Sequence, residues 1–237
     1  MTIDLILAEF GKQRRNAGDA TLPPSRLEPA VSSFRKFLGS VNVILYTDQA
    51  VEERGADIRI VEPPFDQNHP RYGWRCNDYF QLFGLLESRA SVAIATDADM
   101  LVVSQNVKTL IPMALRFGLL APHNPRLLVR NDMRSVCDGS DVIDATAGMG
   151  SAYNGSPYVL GARRQDHLQL IREYLEEMRT NPCRGPIAMW RAVWKTGIFP
   201  YMTAPQFCVC RRHEDIDNPC IVHVGHHNIR RKFMPLD

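Results

Sequence analysis

The stretch Ser91–Gln105, SVAIATDADMLVVSQ, carries an apolar run directly into two carboxylates, Asp97 and Asp99. The residues before the acids are apolar or small, so they predict a buried strand. In open α/β sheets, ligands bind in the crevice outside the carboxyl ends of the strands. The stretch therefore predicts a strand of an α/β sheet with two acidic side chains at its functional end.

The segments on either side of this strand alternate between strand and helix patterns. Three strands are predicted at Thr2–Ala8, Val41–Asp48 and Ala56–Glu62. Helices are predicted at 25–39, where Ser25 and Glu28 form a capping box and Gly39 is the stop, and at Arg75–Ser88. Such alternation with short connections indicates a largely parallel α/β sheet flanked by helices. No repeat, low-complexity tract or linker divides the chain, so residues 1–237 are predicted to form a single domain.

The second half is less regular. "GLLAPH" and "SPYVLGARR" are typical of strands, and so is "FCVCRR" around Cys208 and Cys210. "NVKTLIPMALRFG" predicts a helix that Pro112 either kinks or begins. A further helix has Asp166 as its N-cap and an apolar face of Leu168, Ile171, Leu175 and Met178. Another is expected to start at Pro186 and stop at Gly197.

Composition is that of an ordinary globular protein, with 45% hydrophobic and 23% charged residues. The formal net charge of +2 gives no general attraction to nucleic acid or membrane. The N-terminus lacks the basic region of a signal peptide, and no apolar run approaches the roughly 18–20 residues of a membrane span. A cytoplasmic protein (in the host cytoplasm for a viral enzyme) with reduced cysteines and no membrane partner is therefore expected.

The D-x-D pair has two interpretations. Asp97 and Asp99 are either turn residues that cap backbone groups at the strand end, or ligands of a cation. Alternate residues of an extended segment point the same way, so both carboxylates are able to face one Mn²⁺ or Mg²⁺ ion. Mg²⁺ is typically bound through one or two carboxylates plus substrate phosphates. The second interpretation thus predicts a nucleotide-diphosphate site.

Four segments in chain order resemble the nucleotide-sugar glycosyltransferases of the GT-A fold. They are "NVILYTD", like a second strand of that family; "VAIATDADMLV", its apolar run and D-x-D; "AYNGSPYVLGARR", its sugar-site segment; and "IVHVGHHNIRRK", its C-terminal His-x-x-Gly-x-x-Lys element. Three features depart from the family pattern: Gly225 follows His223 at two residues rather than three, the basic group at 230–232 comes later than expected, and Gly155 follows Asn154 directly. The resemblance implies a single-domain GT-A-like, Rossmann-like, mostly parallel sheet.

The same resemblance implies a function. Asp97, Asp99 and His223 would bind Mn²⁺ or Mg²⁺ against the diphosphate of a nucleotide sugar, with a UDP-sugar as the expected donor. Donor contacts are implied for Arg75, Asp97, Asn154, Gly155, Gly225, Arg230 and Lys232, with Arg231 beside them. An inverting enzyme needs a carboxylate base, for which Asp141 and Asp144 are candidates, whereas a terminal histidine ligand favours retention by family analogy. The sugar, the acceptor and the stereochemistry stay open.

Several of these residues have plainer interpretations. Arg75 is equally typical of a solvated helix end, and Asn154-Gly155 is a leading hairpin signal. Asp141 and Asp144 are also typical loop residues. A D-x-D phosphatase is disfavoured, since that class usually has its motif near the N-terminus and Thr or Val where this chain has Leu101.

Two other function classes remain as alternatives. A structural zinc site is permitted by the C-terminal Cys/His residues: Cys208, Cys210, His213, Cys220, His223, His226 and His227. A nucleic-acid-binding module is suggested by paired basic residues at 14–15, 163–164, 211–212 and 230–232, with Trp74, Trp190, Trp194 and Tyr201 for stacking. Trp190 and Trp194 lie four apart in one predicted helix, which favours core packing. For the glycosyltransferase interpretation, the acceptor stays open between a hydroxymethylated DNA base, as for some phage enzymes, a glycan and a protein.

Overall fold

The computed structural model describes residues 1–10, 27–48, 50, 55–66, 75–127, 151–153, 155–180, 182, 185–210, 215–225 and 227–234. The strands of this part are β1 (Ile3–Glu9), β2 (Asn42–Thr47), β3 (Ala56–Ile60), β4 (Val92–Ala95), β5 (Met100–Val102), β6 (Leu119–Leu127), β7 (Ser151–Tyr153), β8 (Tyr158–Leu160), β9 (Tyr201–Thr203) and β10 (Ile221–His223). The α-helices are α1 (Leu27–Leu38), α2 (Arg75–Glu87), α3 (Leu110–Phe117), α4 (Gln165–Thr180), α5 (Gly185–Thr196) and α6 (His227–Phe233).

Eight strands form one mixed sheet in the order β3-β2-β1-β4-β8-β6-β7, with β9 paired to β6. The first four strands of this order are mutually parallel, whereas β8 is antiparallel to both β4 and β6. The remaining strands, β5 and β10, form a separate antiparallel ribbon. The predicted α/β class with a largely parallel sheet flanked by helices is confirmed. The carboxyl ends of β1, β2, β3 and β4 lie along one edge of the sheet.

Helices cover both faces of this sheet because its central strands are apolar on both sides. Along β4, Ala93 and Ala95 pack into a core with α2, α4 and α5, whereas Val92 and Ile94 pack into a second core with α1 and α3. Alternate residues of β1 divide in the same way. Helix α2 lies so close to β1 that a Cβ atom at Gly84 would overlap Ile6.

Most helix boundaries agree with the signals in the sequence. Gly39 and Gly197 directly follow α1 and α5 with φ of +82° and +67°, a left-handed conformation that glycine adopts without steric cost. Pro112 lies in the first turn of α3, after a 3₁₀ helix at Gln105–Thr109. The predicted apolar face of α4 is buried, with its four residues at most 8% exposed.

Three details of the prediction are wrong. Asp166 is the second residue of α4 rather than its N-cap, because the helix begins one residue earlier, at Gln165. Cys208 and Cys210 lie outside any strand, since only Val209 between them makes an isolated bridge, to Val222. Trp194 is 48% exposed, so only Trp190 of the two tryptophans packs against the core.

Helix lengths bear on the membrane prediction. The longest helix of the described ranges, α4, has 16 residues, many of them charged, whereas a span needs roughly 20 mostly apolar residues. Within the part of the chain that the structure describes, no helix has the length and apolar character to cross a bilayer.

Candidate metal centre

The two acids of the D-x-D pair follow the central strand β4. Thr96 continues the strand for one residue, its N–H donating to the carbonyl of Ile6, and it is fully buried. The chain then turns, with the N–H of Met100 donating to the carbonyl of Asp97 over 3.2 Å. Asp97 and Asp99 thus stand at the carboxyl end of a buried strand, as predicted, and the turn between them lifts the chain out of the main sheet into β5.

The ribbon of β5 and β10 brings His223 to this turn from far along the chain. Its register pairs His223 with Met100, and the N–H of Val224 donates to the carbonyl of Asp99 over 2.9 Å. As a result Nε2 of His223 lies 3.0 Å from Oδ1 of Asp99, with side-chain exposures of 24% and 21%. The ribbon is therefore what joins the predicted third ligand to the acidic pair.

The three predicted metal ligands form one group. One ligand atom from each of Asp97, Asp99 and His223 lies within 4.8 Å of the other two, and no other group of three or more His, Cys, Asp or Glu ligands occurs in the described ranges. Two carboxylates and an imidazole are a donor set that suits Mn²⁺, and carboxylates are the ligands that Mg²⁺ prefers. The residues fit the predicted divalent cation.

The carboxylate of Asp97 is held by residues that the sequence patterns did not single out. Nε2 of Gln81 donates to Oδ1 of Asp97 over 2.7 Å. The Asp97 N–H donates to Oγ of Ser156 over 2.9 Å, and Ser156 in turn donates to Thr96 over 3.3 Å. A glutamine inside the apolar run of α2 was the available signal for Gln81, because an uncharged polar residue with no exposed surface needs a partner.

The pKa values of Asp97 and His223 are both raised, which favours the protonated form of each side chain. Burial, with the nearby carboxylates of Asp99 and Asp78, raises the pKa of Asp97 to about 6, although His223 and the Gln81 hydrogen bond lower it. Burial alone would lower the pKa of His223, but Asp99, which also accepts its hydrogen bond, raises that pKa to about 9. Without a cation, the imidazolium of His223 is thus the positive partner of the acids at neutral pH.

Behind Asp97 lies a buried ion pair at the start of α2. Nη1 of Arg75 is 3.4 Å from Oδ2 of Asp78, and the N–H of Gly185 donates to the same oxygen over 3.1 Å. A Cβ at Gly185 would lie 2.6 Å from that oxygen, so only glycine lets α5 approach so closely. Arg75 is 5% exposed, so the interpretation as a solvated helix end is wrong, and a donor contact stays a prediction. Asp78 was not among the predicted site residues.

The other predicted donor residues lie on segments next to the group. Gly155 precedes Ser156, and a Cβ there would be 4.0 Å from Oδ1 of Asp78. A Cβ at Gly225 would overlap Oδ2 of Asp99, so this position needs glycine beside the acid. Helix α6 follows after a short turn, with Arg230 partly buried and Arg231 and Lys232 exposed.

Some predicted residues lie outside the described ranges, namely Ser25, Trp74, Asp141, Asp144 and Asn154, and so do His213, His226 and the paired arginines at 14–15 and 211–212. Of the zinc candidates within those ranges, Cys208, Cys210 and Cys220 are buried. None of them belongs to a group of three or more described residues with metal-ligand spacing. The described ligands therefore favour the D-x-D metal over a structural zinc.

One basic pair proposed for nucleic acid has a structural use. Arg163 donates to the carbonyls of Leu85, Leu86 and Ser88 at the end of α2, and Arg164 donates to the carbonyl of Arg116 near the end of α3. Cationic side chains at helix C-termini satisfy the last carbonyls and interact favourably with the helix dipole. This pair therefore stabilises helix ends, which weakens the case for a nucleic-acid-binding module.

Comparisons with known proteins do not assign a family to this chain. No protein-family model matches the chain, and no match was found among curated proteins.

Proposed function

We propose that the protein is a metal-dependent, GT-A-like glycosyltransferase that takes a sugar from a nucleotide-diphosphate donor. The observation that carries the proposal is the meeting of Asp97, Asp99 and His223 at the carboxyl end of β4. Two of these residues follow one strand end, and the third lies on β10, far along the chain. A mere strand-end turn would not require an imidazole beside the second acid, whereas a cation site uses all three groups.

The roles of the residues follow from their chemistry. Asp97, Asp99 and His223 would hold Mn²⁺ or Mg²⁺, which supplies positive charge to the diphosphate as it leaves. Without a cation, Asp99 accepts the hydrogen bond of Nε2 and keeps the imidazole beside the acids, and His223 would give up this proton to bind the cation. Gly225 leaves room for the Asp99 carboxylate, and the cations of α6 follow it in sequence, where they would bind donor phosphates.

We propose that the sugar of the donor binds next to two neighbouring segments, Ser151–Tyr153 and Gly155–Leu160. Ser156 is tied to the backbone of Asp97, which fixes Gly155 next to the strand end. We assign hydrogen bonding of sugar hydroxyls to Asn154 and close approach to Gly155. Arg75 lies beside Asp78 at the start of α2 and would contact the donor, and Asp144 is the proposed base for an inverting reaction.

A thermal-shift screen of nucleotide sugars with and without Mn²⁺ tests this function. A ligand that binds only the native state raises the melting temperature by mass action. We expect a nucleoside diphosphate or its sugar, with UDP as the first choice, to stabilise the protein only together with Mn²⁺ or Mg²⁺. Equal stabilisation in excess EDTA would contradict the site assignment.

The acceptor is a hydroxyl group on a modified DNA base, a glycan or a protein. Release of nucleoside diphosphate from the donor, measured with each acceptor class in turn, separates the three. Only the true acceptor raises the release rate above slow donor hydrolysis.

A further inference from the structure

Gln81 lies between the core and the Asp–Asp–His site (Asp97, Asp99 and His223). It is fully buried on α2, beside the buried side chains of Phe80 and Leu82. Its Nε2 is 2.7 Å from Oδ1 of Asp97, which makes a short hydrogen bond to a carboxylate. Hydrogen bonds to ionised acceptors are about twice as strong as neutral ones, so this contact holds one Asp97 oxygen firmly.

The orientation of the Gln81 amide is set by the charge it faces. Oε1 of Gln81 is buried and has no hydrogen-bond partner within the described ranges. Rotating the amide by half a turn would give that oxygen no donor there and would place it against the Asp97 carboxylate. The amide therefore presents Nε2 to Asp97, and Oδ1 is the oxygen that it occupies.

We propose that Gln81 is a positioning residue that makes Asp97 a monodentate ligand and thereby selects a small cation. This inference rests on the metal site of the proposed function. Gln81 takes up one lone pair of Oδ1 of Asp97, so a bidentate contact through Oδ1 would compete with this hydrogen bond, whereas Oδ2 is available for a cation. The backbone N–H of Asp97 donates to Ser156, which also fixes the position from which the side chain extends.

Monodentate binding has a consequence for which metal the site takes. Mg²⁺ demands near-octahedral geometry, and it is usually bound by few protein carboxylates together with water and phosphate oxygens. Ca²⁺ takes six to eight oxygens and readily accepts bidentate carboxylates. A carboxylate limited to one oxygen keeps positions open for the diphosphate and disfavours Ca²⁺. Gln81 thus favours Mn²⁺ and Mg²⁺ over Ca²⁺.

The test replaces Gln81 by Met, which keeps the length of the side chain and removes the donor. Outer-shell substitutions typically cost 10–100-fold in metal affinity. For Gln81→Met we expect Mn²⁺ affinity, measured by calorimetry, to fall about tenfold, with Ca²⁺ affinity unchanged or higher, so that the Mn²⁺/Ca²⁺ ratio falls at least tenfold. The visible absorption of Co²⁺ bound at the site should also change, because Asp97 then offers both oxygens.

Ser88→Ala is the matched control. It removes another hydrogen bond to a buried carboxylate, from Oγ of Ser88 to Oδ2 of Asp4 over 2.6 Å, at the opposite edge of the sheet. We expect this variant to melt at a lower temperature and to keep the wild-type Mn²⁺/Ca²⁺ ratio and Co²⁺ spectrum. A purely structural role of Gln81 would make the two variants alike in all three measurements.

The outcomes separate this inference from the proposed function. If Gln81→Met changes the Mn²⁺ affinity by less than twofold and leaves the Mn²⁺/Ca²⁺ ratio unchanged, the role of Gln81 is overturned and the metal site stands. Failure of the wild-type protein to bind Mn²⁺ overturns both. If Gln81→Met does not fold, Gln81→Glu serves instead, because it keeps the shape of the side chain, removes the donor and adds an oxygen ligand. The Mn²⁺/Ca²⁺ ratio must then again shift toward Ca²⁺. An unshifted ratio counts against the inference.

Discussion

Two buried acids at opposite ends of the central sheet have different surroundings. At the amino-terminal edge, Asp4 accepts hydrogen bonds from Oγ of Ser88 over 2.6 Å and from Nδ2 of Asn42 over 3.2 Å. We call these three residues the Asp4 cluster. At the carboxyl edge, burial raises the pKa of Asp97, and the nearby carboxylates of Asp99 and Asp78 raise it as well.

The contrast separates an acid that stabilises the fold from an acid placed for a ligand. The two oxygens of Asp4 face neutral donors, so its charge is solvated by the protein itself. In the Asp–Asp–His site two acids stand together, an arrangement that costs free energy unless positive charge offsets it. In the metal-free protein the imidazolium of His223 supplies one positive charge, and a bound divalent cation would supply two in its place.

The largest expected effect on metal binding is that of a substitution at Asp99, at the carboxyl edge of the sheet. Asp99→Asn keeps the size of the side chain but removes one negative charge, and it weakens the hydrogen bond that holds His223. We expect metal-dependent donor binding to be lost and turnover to fall at least about a hundredfold, because the leaving diphosphate loses charge stabilisation. Asp97→Asn should act in the same direction. Mn²⁺ titration and a donor-hydrolysis assay measure both.

Asp4→Asn is the control for that experiment. It should lower the free energy of unfolding by about 1–3 kcal/mol, because a charged acceptor of buried hydrogen bonds is lost, and it should leave Mn²⁺ binding intact. A well-folded Asp99→Asn protein with near-normal transfer rates would instead make the two edges equivalent and refute the metal site.

The second expected effect is on the pH dependence of metal binding. The pKa of His223 is raised to about 9 and that of Asp97 to about 6, and each group must lose its proton to bind a cation. Mn²⁺ affinity should therefore rise about tenfold per pH unit between pH 6 and pH 9, and more steeply below pH 6. Titrations at four pH values measure the slope, and His223→Gln should flatten it above pH 6.

The stability of the metal-free protein should show the reverse trend. A folded-state pKa raised above its unfolded value means that the folded state binds more protons, so stability falls as pH rises. The contribution of His223 is fully present below about pH 6.5 and is lost as pH rises through 9. Asp97 adds a loss between about pH 4 and 6. Denaturation of wild type and His223→Gln in EDTA isolates the histidine term, and equal pH profiles would contradict it.

The strands, helices and acidic pair were predictable because their signals are local. Apolar runs gave β1, β2 and β4, and glycines marked the ends of α1 and α5. The position of Asp97 and Asp99 after a buried strand follows from the same run. Their placement needs only the general rule that parallel strands align their carboxyl ends.

The partners of the acids were harder to predict because they depend on long-range register. His223 was assigned through a family resemblance, and only the pairing of β5 with β10 accounts for it physically. Nothing periodic marks Gln81 or Asp78 as site neighbours. Both lie on the buried face of α2, and only the packing of that helix on β1 and β4 shows what they touch.

The third prediction asks whether the carboxyl-edge site extends into α6. Replacing Arg230, Arg231 and Lys232 together by Ala should weaken binding of the nucleotide donor about tenfold, the effect of losing one or two charge-assisted contacts to phosphate. The fold should remain, since two of the three side chains are exposed. Isothermal titration with donor and Mn²⁺ measures the change.

A different outcome for this triple variant would reassign α6. If donor affinity is unchanged and binding to a DNA acceptor collapses, these cations contact the acceptor. The dependence of DNA affinity on salt concentration should then flatten, because fewer counterions are released on binding.

The smallest expected effect on metal binding comes from the Asp4 cluster itself, where Ser88→Ala should leave Mn²⁺ affinity unchanged. The hydroxyl of Ser88 donates to Asp4 and accepts from the N–H of Ala90 over 3.2 Å, so it joins β1 to the turn after α2. Its loss should cost about 1–3 kcal/mol of unfolding free energy, measured in urea, because a buried carboxylate loses a donor.

Asn42→Ala should cost less, since its hydrogen bond to Asp4 is longer and only partly buried. In the double variant Ser88→Ala/Asp4→Asn the two costs should not add, because both substitutions weaken or remove the same contact. Additive costs would mean that Asp4 is held mainly by other groups, and a loss of Mn²⁺ affinity in Ser88→Ala would mean that the two edges of the sheet are coupled.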